Sequence, residues 1–337
     1  MDAPAAAAGA GDVAAPPALG TVLSDTPLLD ADVELAKATT TSFTLSQRDP
    51  SKPSWNVNGT CLAAGLGDGT VNVLLADAAS PERLLLSGGK DQALRVWDMR
   101  KLAMVHRQEM SAPVMWCDVA PDGLTAAVGV AGAGAKVLDL RTHKILHSVP
   151  APAGVTVNSG AYDAEGNLVM VGVKNIEHGL RQGGGWLVHG TSGELVAELL
   201  SHSLACRSVA FDHSRSLLAM GSLDATVSVW DYAERSVLRT LDRPMCVDPR
   251  CVPPAGRCIT TVAPFRRLSV DALAWSPGGS YLALASAEAP VEIVRVLDGT
   301  RVRCLEGTNS SSSVAWAPQS ALLAMCSRPD TLLVVKG

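Results

Sequence analysis

Short runs of alternating apolar and polar residues recur along most of the chain, and each run ends at a cluster of turn residues. The stretch 208–241 shows this pattern most clearly. Its first part alternates up to a turn at 212–216, and further runs occupy 217–221, 226–230 and 236–241. Alternation with a period of two over four to eight residues is typical of β-strands. This stretch is therefore predicted to form one antiparallel sheet of four short strands.

The same template recurs elsewhere in the chain at a regular spacing. Further copies begin at Leu84, Val114, Ser269 and Ser313. Asp98 and Asp139 end corresponding runs, and Trp275 and Trp316 occupy corresponding positions in two other copies. Both spacings equal the length of one four-stranded propeller blade, about 40–45 residues, and radially packed blades leave only short edges. We therefore predict an all-β protein in which residues 41–337 form one β-propeller.

Two spacings depart from this repeat. The position equivalent to Asp98 one blade earlier is Leu74, which is much closer than one blade length. We therefore expect one strand of that blade and the start of the next to be missing. The N-terminal blade, residues 54–74, shows no obvious first strand. Asp231 and its equivalent Arg295 are separated by much more than one blade length, which predicts an inserted Cys- and Pro-rich loop at 244–267. A propeller with such blade defects exposes unpaired strand edges.

Residues 1–40 differ in composition from the rest of the chain. Residues 1–20 are rich in Ala, Gly and Pro, and residues 1–36 contain six acidic residues but no Lys or Arg. Because this composition buries little apolar area, we predict that residues 1–40 form a mostly disordered acidic tail. No signal-peptide or transit-peptide pattern is visible, and no uncharged apolar run approaches ~18 residues. We therefore expect a soluble, intracellular protein without a membrane partner.

Charge gives little support for a nucleic-acid groove. The formal net charge is -5, so the chain has no bulk basic field. Local basic enrichment is confined to Arg235, Arg239, Arg243, Arg266 and Arg267. These residues could contact RNA if they shared a face, but we favour a solvent-exposed blade edge and expect any RNA contact to be indirect.

Cysteine and glycine patterns do not predict a metal or cofactor site. Cys246, Cys251 and Cys258 lie in the predicted inserted loop, but zinc sites need four ligands with closer pairs. The glycines in 181–185 lack the Lys–Ser/Thr and following helix of a phosphate-binding loop, and those in 65–69 lack the helix of a dinucleotide site. We interpret both glycine runs as hairpin turns, and we expect neither a cofactor nor a small-molecule substrate.

Two Trp–Asp pairs carry a family resemblance. Trp97–Asp98 and Trp230–Asp231 each end a strand-like run, and a turn aspartate, Asp91 or Asp224, precedes each pair. These residues resemble the WD dipeptide repeat of WD-repeat β-propellers. The resemblance implies a propeller that is seven-bladed in its regular form.

The resemblance also implies a buried polar set around the second pair. His202, Asp224, Ser222 and Trp230 match the expected pattern best, although Ser201–His202 replaces the usual Gly–His. A buried indole N–H and a buried imidazole both need hydrogen-bond partners. We therefore predict that this set is structural rather than catalytic.

The combination and order of the blades resemble one branch of the family more narrowly, the WD-repeat subunit 3 of the THO complex. The stretches that carry this resemblance are 208–231, 239–244, 267–293 and 313–324. The THO complex is a nuclear assembly that couples transcription to mRNA processing and export. The resemblance implies a nuclear, non-catalytic scaffold whose partners are other subunits of a THO/TREX-type assembly, with RNA contacted through that assembly.

Two alternatives remain open at this point. The first is a substrate-recognition propeller of a ubiquitin ligase or an adaptor of a chromatin complex, which would bind different proteins on similar surfaces. The second is an enzyme, which would need a titratable cluster in the central channel. The sequence contains neither a G-x-S-x-G elbow nor an H-E-x-x-H motif, and we therefore expect no catalytic activity.

Overall fold

The computed structural model describes residues 39–44, 53–55, 61–65, 71–75, 84–98, 101, 103–242, 269–305, 313–327 and 331–336. These residues form 26 β-strands, one 3-10 turn at Glu177–Gly179 and no α-helix. The strands pair into seven antiparallel sheets, which we label A to G. Across the described part of the chain, no helix is long and apolar enough to cross a membrane.

Four of the sheets are built from four consecutive strands each. Sheet D contains β8 (Val114–Val119), β9 (Thr125–Val130), β10 (Gly134–Asp139) and β11 (Ile145–Val149). Sheet E contains β12 (Val155–Tyr162), β13 (Leu168–Asn175), β14 (Arg181–Val188) and β15 (Leu195–His202). Sheet F contains β16 (Cys206–Phe211), β17 (Leu217–Ser222), β18 (Thr226–Asp231) and β19 (Ser236–Asp242). Sheet G contains β20 (Ala272–Trp275), β21 (Tyr281–Ser286), β22 (Ala289–Arg295) and β23 (Arg301–Leu305).

Sheet A joins the two ends of the described chain. Its strands are β24 (Ser313–Trp316), β25 (Leu322–Ser327) and β26 (Thr331–Lys336), and β1 (Thr39–Thr44) pairs antiparallel with β26 as the fourth strand. A strand from the start of the described chain thus completes the last sheet. This first strand begins at Thr39, two positions before the start of the propeller predicted from the sequence.

Sheets B and C each contain only three strands. Sheet B consists of β2 (Pro53–Trp55), β3 (Cys61–Gly65) and β4 (Val71–Leu75). Sheet C consists of β5 (Leu84–Gly88), β6 (Ala93–Asp98) and β7 (Ala103–Glu109). Asp98 ends β6, and its equivalent Asp231 ends β18, which is the third strand of sheet F. β6 is therefore a third strand too, and β5 to β7 correspond to the last three strands of a regular sheet. Among the described residues, sheet B therefore lacks its fourth strand and sheet C lacks its first.

This finding confirms the blade defect that the short Leu74–Asp98 spacing predicts. It also corrects one detail, because residues 53–55 do form a short first strand for sheet B. The sequence pattern missed this strand because three residues are too few to show alternation. The predicted insertion at 244–267, with its three cysteines, lies outside the described residues.

The first strands of successive sheets lie side by side and form the inner ring of the propeller. β8, β12, β16, β20 and β24 follow one another around this ring, and β2 lies next to β24. In sheet C, which lacks a first strand among the described residues, β5 lies against β8 instead. The result is a β-propeller whose irregular position is at sheets B and C.

Apolar side chains on facing sheets fill the spaces between the blades. Between sheets E and F, for example, Val171, Leu187, Val209 and Met220 are buried around Trp230. Both faces of each central strand are covered, which explains the almost continuous apolar sequence of β9, β17 and β21. The strand boundaries of sheet F agree closely with those predicted from the sequence.

Candidate interaction surface

His202 lies at the centre of a buried hydrogen-bonded network between sheets E and F. It is the last residue of β15, and its Nδ1 atom lies 3.2 Å from Asp224 Oδ2 and 3.0 Å from Thr226 Oγ1. Its Nε2 atom lies 2.8 Å from Ser228 Oγ, which accepts a hydrogen bond of 2.9 Å from Trp230 Nε1. The network therefore links the outer strand of sheet E to the third strand of sheet F.

The donors and acceptors of this network match one histidine tautomer. Ser228 Oγ accepts from Trp230 Nε1 and from Ser201 Oγ, so its own proton is available to His202 Nε2. The proton on His202 Nδ1 is then directed at Asp224 and Thr226. Every polar hydrogen in the bridge has an acceptor, as buried polar groups require.

Asp224 carries the negative charge of the network. Burial opposes its ionisation, but hydrogen bonds from His202, from Thr226 and from the backbone N–H of Ser203 outweigh it and hold the pKa of Asp224 well below its ordinary value. The ionised carboxylate thus fixes the Ser203 backbone and the turn at Asp224 to each other. Both segments lie at the same end of the sheets, which we call the upper face.

Ser222 contacts the predicted polar set through the Asp224 turn and does not bridge His202 and Trp230. Its hydroxyl donates to the carbonyl oxygens of Leu204 and Ala205, at 3.1 and 3.3 Å, and accepts from the backbone N–H of Asp224 at 3.2 Å. The bridge between His202 and Trp230 is Ser228. Because side chains alternate along a strand, Ser228 and Trp230 share one face of β18, and this period-2 relationship was the signal that could have identified Ser228.

The other predicted residues of this kind, in sheet C, form a different arrangement. Trp97 Nε1 donates to Ser87 Oγ at 2.8 Å, and Asp91 forms an ion pair with Arg95, which occupies the position equivalent to Ser228. In the regular case, the fourth strand of sheet E supplies His202 to the network with sheet F. Sheet B lacks a fourth strand among the described residues, so it supplies no equivalent histidine to sheet C. Within that part of the chain Asp91 and Trp97 therefore do not belong to one network.

The aspartates of the two Trp–Asp pairs play the same local role. Asp231 Oδ1 accepts from the backbone N–H of Glu234 at 3.0 Å, and Asp98 Oδ1 accepts from the backbone N–H of Lys101 at 3.3 Å. Both side chains thus cap the turn between the third and fourth strands, as short acidic side chains do in Asx turns. Neither arrangement brings together groups that could carry out acid–base chemistry on a substrate.

Exposed leucines lie on the upper face directly above the His202 network. Leu204 is 43% exposed in the loop between β15 and β16, and Leu223 is 36% exposed in the turn between β17 and β18. The backbone N–H of Leu223 donates to Ala205 O at 3.0 Å, which joins the two segments. Ile176 and Leu180, exposed to 41% and 65%, lie in the loop between β13 and β14 at the same end of sheet E. We call Ile176, Leu180, Leu204 and Leu223 the upper apolar patch.

The glycine run at 183–185 supports this patch from below. The sequence suggested a hairpin turn here, but all three glycines lie inside β14, where Gly183 pairs with His202. A Cβ atom on Gly183 would lie 1.7 Å from the carbonyl oxygen of Leu204. Glycine is therefore required for the Leu204 backbone to approach β14 closely, and the run has no phosphate-binding geometry.

Two of the five arginines of the predicted basic cluster lie among the described residues. Arg235 and Arg239 are exposed at the outer edge of sheet F, whereas the other three arginines of the basic cluster lie outside the described residues. No group of three or more His, Cys, Asp or Glu side chains among the described residues could hold a metal ion.

Comparison with known proteins agrees with this geometry. A family model for the WD domain, G-beta repeat, matches residues 193–231, the segment that contains the His202 network. The solved β-propeller domain of Cps50 (Swd1) from Myceliophteria thermophila superimposes with a TM-score of 0.69 at 16% identity, covering 87% of this chain and 99% of that domain. The fold is that of a β-propeller, and residues 193–231 match a WD repeat.

Among curated proteins, the chain is similar to THO complex subunit 3 of Arabidopsis thaliana. The two are 25% identical over 299 residues, which cover 80% of this chain and 84% of that protein. A DDB1- and CUL4-associated factor 11 homolog of Caenorhabditis elegans is 27% identical over 191 residues, which cover 54% of this chain but only 30% of that protein. Protein HIR1 of Cryptococcus neoformans is 30% identical over 114 residues, which cover 34% of this chain and 11% of that protein.

Proposed function

We propose that this protein is a non-catalytic scaffold subunit of a THO-like nuclear complex that couples transcription to mRNA processing and export. The observation that carries the proposal is the similarity to THO complex subunit 3, which extends along most of both chains. By contrast, the similarities to the DDB1- and CUL4-associated factor 11 homolog and to HIR1 cover less than a third of those proteins. Similarity restricted to part of a longer protein is what shared WD repeats alone would produce.

The surface chemistry supports a binding role. Leu204 and Leu223 of the upper apolar patch adjoin Ser203 and Asp224, which the His202 network fixes to each other, so these two leucines are presented on a rigid base. Exposed apolar side chains held in this way mark protein-contact surfaces, and preorganisation reduces the entropy lost on binding. The proposed occupant of this patch is another protein subunit of the assembly.

The proposal assigns the protein to the nucleus and assigns its partners to other subunits of a THO/TREX-type complex. RNA is reached through those subunits, because the exposed basic residues described in sheet F are few and lie on a blade edge. WD-repeat adaptors of ubiquitin ligases or of chromatin complexes are the second candidate, supported by the partial similarities. That candidate predicts a different set of bound proteins.

Affinity purification of the tagged full-length chain from nuclear extract, with and without ribonuclease, tests the proposal. We expect a stable set of THO-type subunits that survives ribonuclease treatment, because the contacts are between proteins. Recovery of cullin adaptors or histone chaperones instead would support the second candidate. Loss of all partners on ribonuclease treatment would contradict direct protein scaffolding.

A further inference from the structure

A cavity of about 340 Å³ opens between sheets D and E, at the end of the sheets opposite the upper face, which we call the lower face. Tyr162, the last residue of β12, lines its floor and is 2% exposed. Val137 of β10 and Leu146 of β11 form apolar walls. Every residue that lines the cavity belongs to the continuous described stretch 103–242.

The cavity is open because two positions that carry long side chains in the next sheet are glycines here. Gly166 and Gly190 lie in the two lower turns of sheet E, and both line the cavity. Their equivalents in sheet F are Arg215, which like Gly166 has a positive φ, and Tyr232, which directly follows the Trp–Asp pair. A Cβ on Gly190 would lie 2.0 Å from the carbonyl oxygen of Gly166, so sheet E cannot fill the cavity from that position.

The junction between sheets E and F shows what fills such a cavity. The Tyr232 ring packs edge-on against Phe211, the last residue of β16, and its hydroxyl donates to Asp163 Oδ2 at 2.9 Å. The guanidinium carbon of Arg215 lies 5.9 Å from the centroid of the Phe211 ring. The same guanidinium donates to the backbone carbonyl oxygen of Tyr162. A guanidinium thus lies over the aromatic residue that ends the inner strand.

The cavity between sheets D and E has the charge to bind a cation. Asp122 and Glu165 are exposed and line the cavity from the lower turns of the two sheets. Among the described residues neither carboxylate forms an ion pair, and no Lys or Arg side chain lines the cavity. Burial raises the pKa of Tyr162 to about 12, and the negative charges of Asp118 and Asp122 act in the same direction. The aromatic floor therefore stays neutral beside unpaired negative charge.

These features together favour an arginine side chain over other groups. A tyrosine would find no acceptor equivalent to Asp163, because that position in sheet D is Ala120. A planar guanidinium can lie over an aromatic ring and donate to oxygen atoms at the same time, whereas a lysine ammonium has no planar face. The carbon chain of an arginine would cover Val137 and Leu146. Phosphate groups of a nucleic acid would be repelled by the carboxylates.

The chain's own termini and insertion are less suited to supply this arginine. Residues 1–36 contain no Lys or Arg. The stretch 243–267 does contain arginines, but it joins Asp242 of β19 to Ser269, and both of these attachment points lie at the upper end of sheets F and G. The cavity opens at the other end of the propeller and between different sheets. A segment of another protein meets no such constraint.

We propose that the cavity between sheets D and E binds an arginine side chain of a partner protein. The guanidinium lies over the Tyr162 ring and pairs with Asp122 and Glu165, as Arg215 lies over Phe211 at the next junction. This inference rests on the scaffold role proposed above but not on the THO assignment. It identifies the side chain through which a partner contacts the lower face.

Titration of the full-length protein with short peptides tests the inference. The probe is a Gly-Arg-Gly peptide with blocked ends, and its controls are the same peptide with glutamine or lysine in place of arginine. NMR spectra of isotope-labelled valine and leucine methyl groups report binding at Val137 and Leu146. We expect these resonances to shift saturably with millimolar arginine peptide. The dissociation constant should be about tenfold higher for the glutamine peptide, which lacks the charge, and severalfold higher for the lysine peptide.

A variant that fills the cavity from within gives the first check. Gly166→Arg introduces the side chain that Arg215 provides at the next junction, and a Cβ at Gly166 meets nothing within 4 Å. We expect this variant to lose binding of the arginine peptide. Gly123→Arg is the matched control, because Gly123 has the same positive φ and open surroundings in the turn of sheet D but does not line the cavity. It should bind the peptide normally.

A variant without the two carboxylates gives the second check and creates no new side-chain bulk. Combining Asp122→Asn with Glu165→Gln should raise the dissociation constant of the arginine peptide about tenfold, since two exposed ion pairs are lost. Glu194→Gln is the control, because Glu194 is an exposed carboxyl of sheet E outside the cavity. The methyl spectra of all variants show directly whether each one is folded.

Several outcomes would overturn the proposal. They are equal binding of the glutamine or the lysine peptide, no saturable shift up to tens of millimolar arginine peptide, and unchanged binding in Gly166→Arg or in the double variant. Without peptide, a change at Val137 and Leu146 when the arginines of 243–267 are replaced by glutamine would identify the chain's own segment as the occupant. A dependence of these resonances on protein concentration would identify a second copy instead. None of these outcomes depends on which complex the protein joins.

Discussion

Ser228 Oγ lies 2.8 Å from Nε2 of His202, and this contact joins the fourth strand of sheet E to the third strand of sheet F. The same hydroxyl accepts the indole hydrogen of Trp230. One serine therefore satisfies two buried ring nitrogens on different sheets. The stability of this blade interface, and the position of the loops above it, should depend on that hydroxyl.

Replacing this hydroxyl tests the role of the bridge. Ser228→Ala leaves His202 and Trp230 without their shared partner, and an unsatisfied buried polar group costs about 1–3 kcal/mol. We expect a loss of that order in the free energy of unfolding, measured by urea denaturation. Ser208→Ala is the matched control, because the Ser208 hydroxyl is also buried but has no hydrogen-bond partner among the described residues. A similar loss in both variants would show that the bridge contributes nothing specific.

Acid should weaken the same network through Asp224. The pKa of Asp224 is lower in the folded protein than its ordinary value of 3.8, so the unfolded chain takes up a proton first as the pH falls. This contribution to stability is complete above the ordinary pKa and is lost as the pH falls through the folded pKa. We expect Asp224→Asn to show a smaller decrease in unfolding free energy between pH 6 and pH 3 than the unmodified protein.

The control for this experiment is Glu234→Gln, which removes an exposed carboxyl from the turn at the opposite end of β18. It should keep the pH dependence of the unmodified protein over the same range. Identical pH profiles for Asp224→Asn and the unmodified protein would contradict the assigned role of Asp224.

Backbone packing beneath the upper apolar patch should be intolerant of a single methyl group. In Gly183→Ala the new Cβ would lie 1.7 Å from Leu204 O, which is a backbone atom that cannot rotate away. Overpacking of this kind costs about 1–3 kcal/mol or more, and we expect a corresponding decrease in the midpoint of thermal unfolding. Gly278→Ala serves as the control, because a Cβ there meets nothing within 4 Å. Equal unfolding temperatures for both variants would contradict the close approach of the Leu204 backbone to β14.

Charges placed on the upper apolar patch should weaken binding without unfolding the protein. Leu180 and Leu204 are exposed, so Leu180→Asp and Leu204→Asp should fold normally. If either residue is central to an interface, we expect the recovery of co-purifying subunits to fall about tenfold, equivalent to about 1.4 kcal/mol. Leu238→Asp, at an exposed leucine on the outer strand β19, should leave recovery unchanged. Equal recovery with all three variants would place the interface elsewhere.

The sequence predicted the architecture well because strand alternation, turn residues and a regular blade-length period are local signals. Turn positions and spacing predicted the boundaries of β17, β18 and β19. The short spacing before Asp98 also predicted the strands that are lacking there among the described residues. The short β2 was missed, since three residues carry no period. The glycines of β14 were misassigned to a turn, because the approach of Leu204 that requires them depends on a contact between separate strands and loops.

The interaction surface was less predictable. Residues of the upper apolar patch come from three separate loops, and their exposure follows from tertiary packing rather than from any local pattern. Ser228 of the polar network was not identified from the sequence, although its position two residues before Trp230 places it on the same face of β18.

The central claim, that the protein is an integral scaffold of a THO-like complex, is tested most directly by reciprocal purification. Another THO-type subunit is tagged, the complex is isolated from nuclear extract after ribonuclease treatment, and this chain is quantified with isotope-labelled reference peptides. The account predicts that this chain is recovered in a constant, near-equimolar ratio to the tagged subunit. Its absence from that complex, together with its recovery in equimolar amounts with a cullin adaptor or a histone chaperone, would contradict the account.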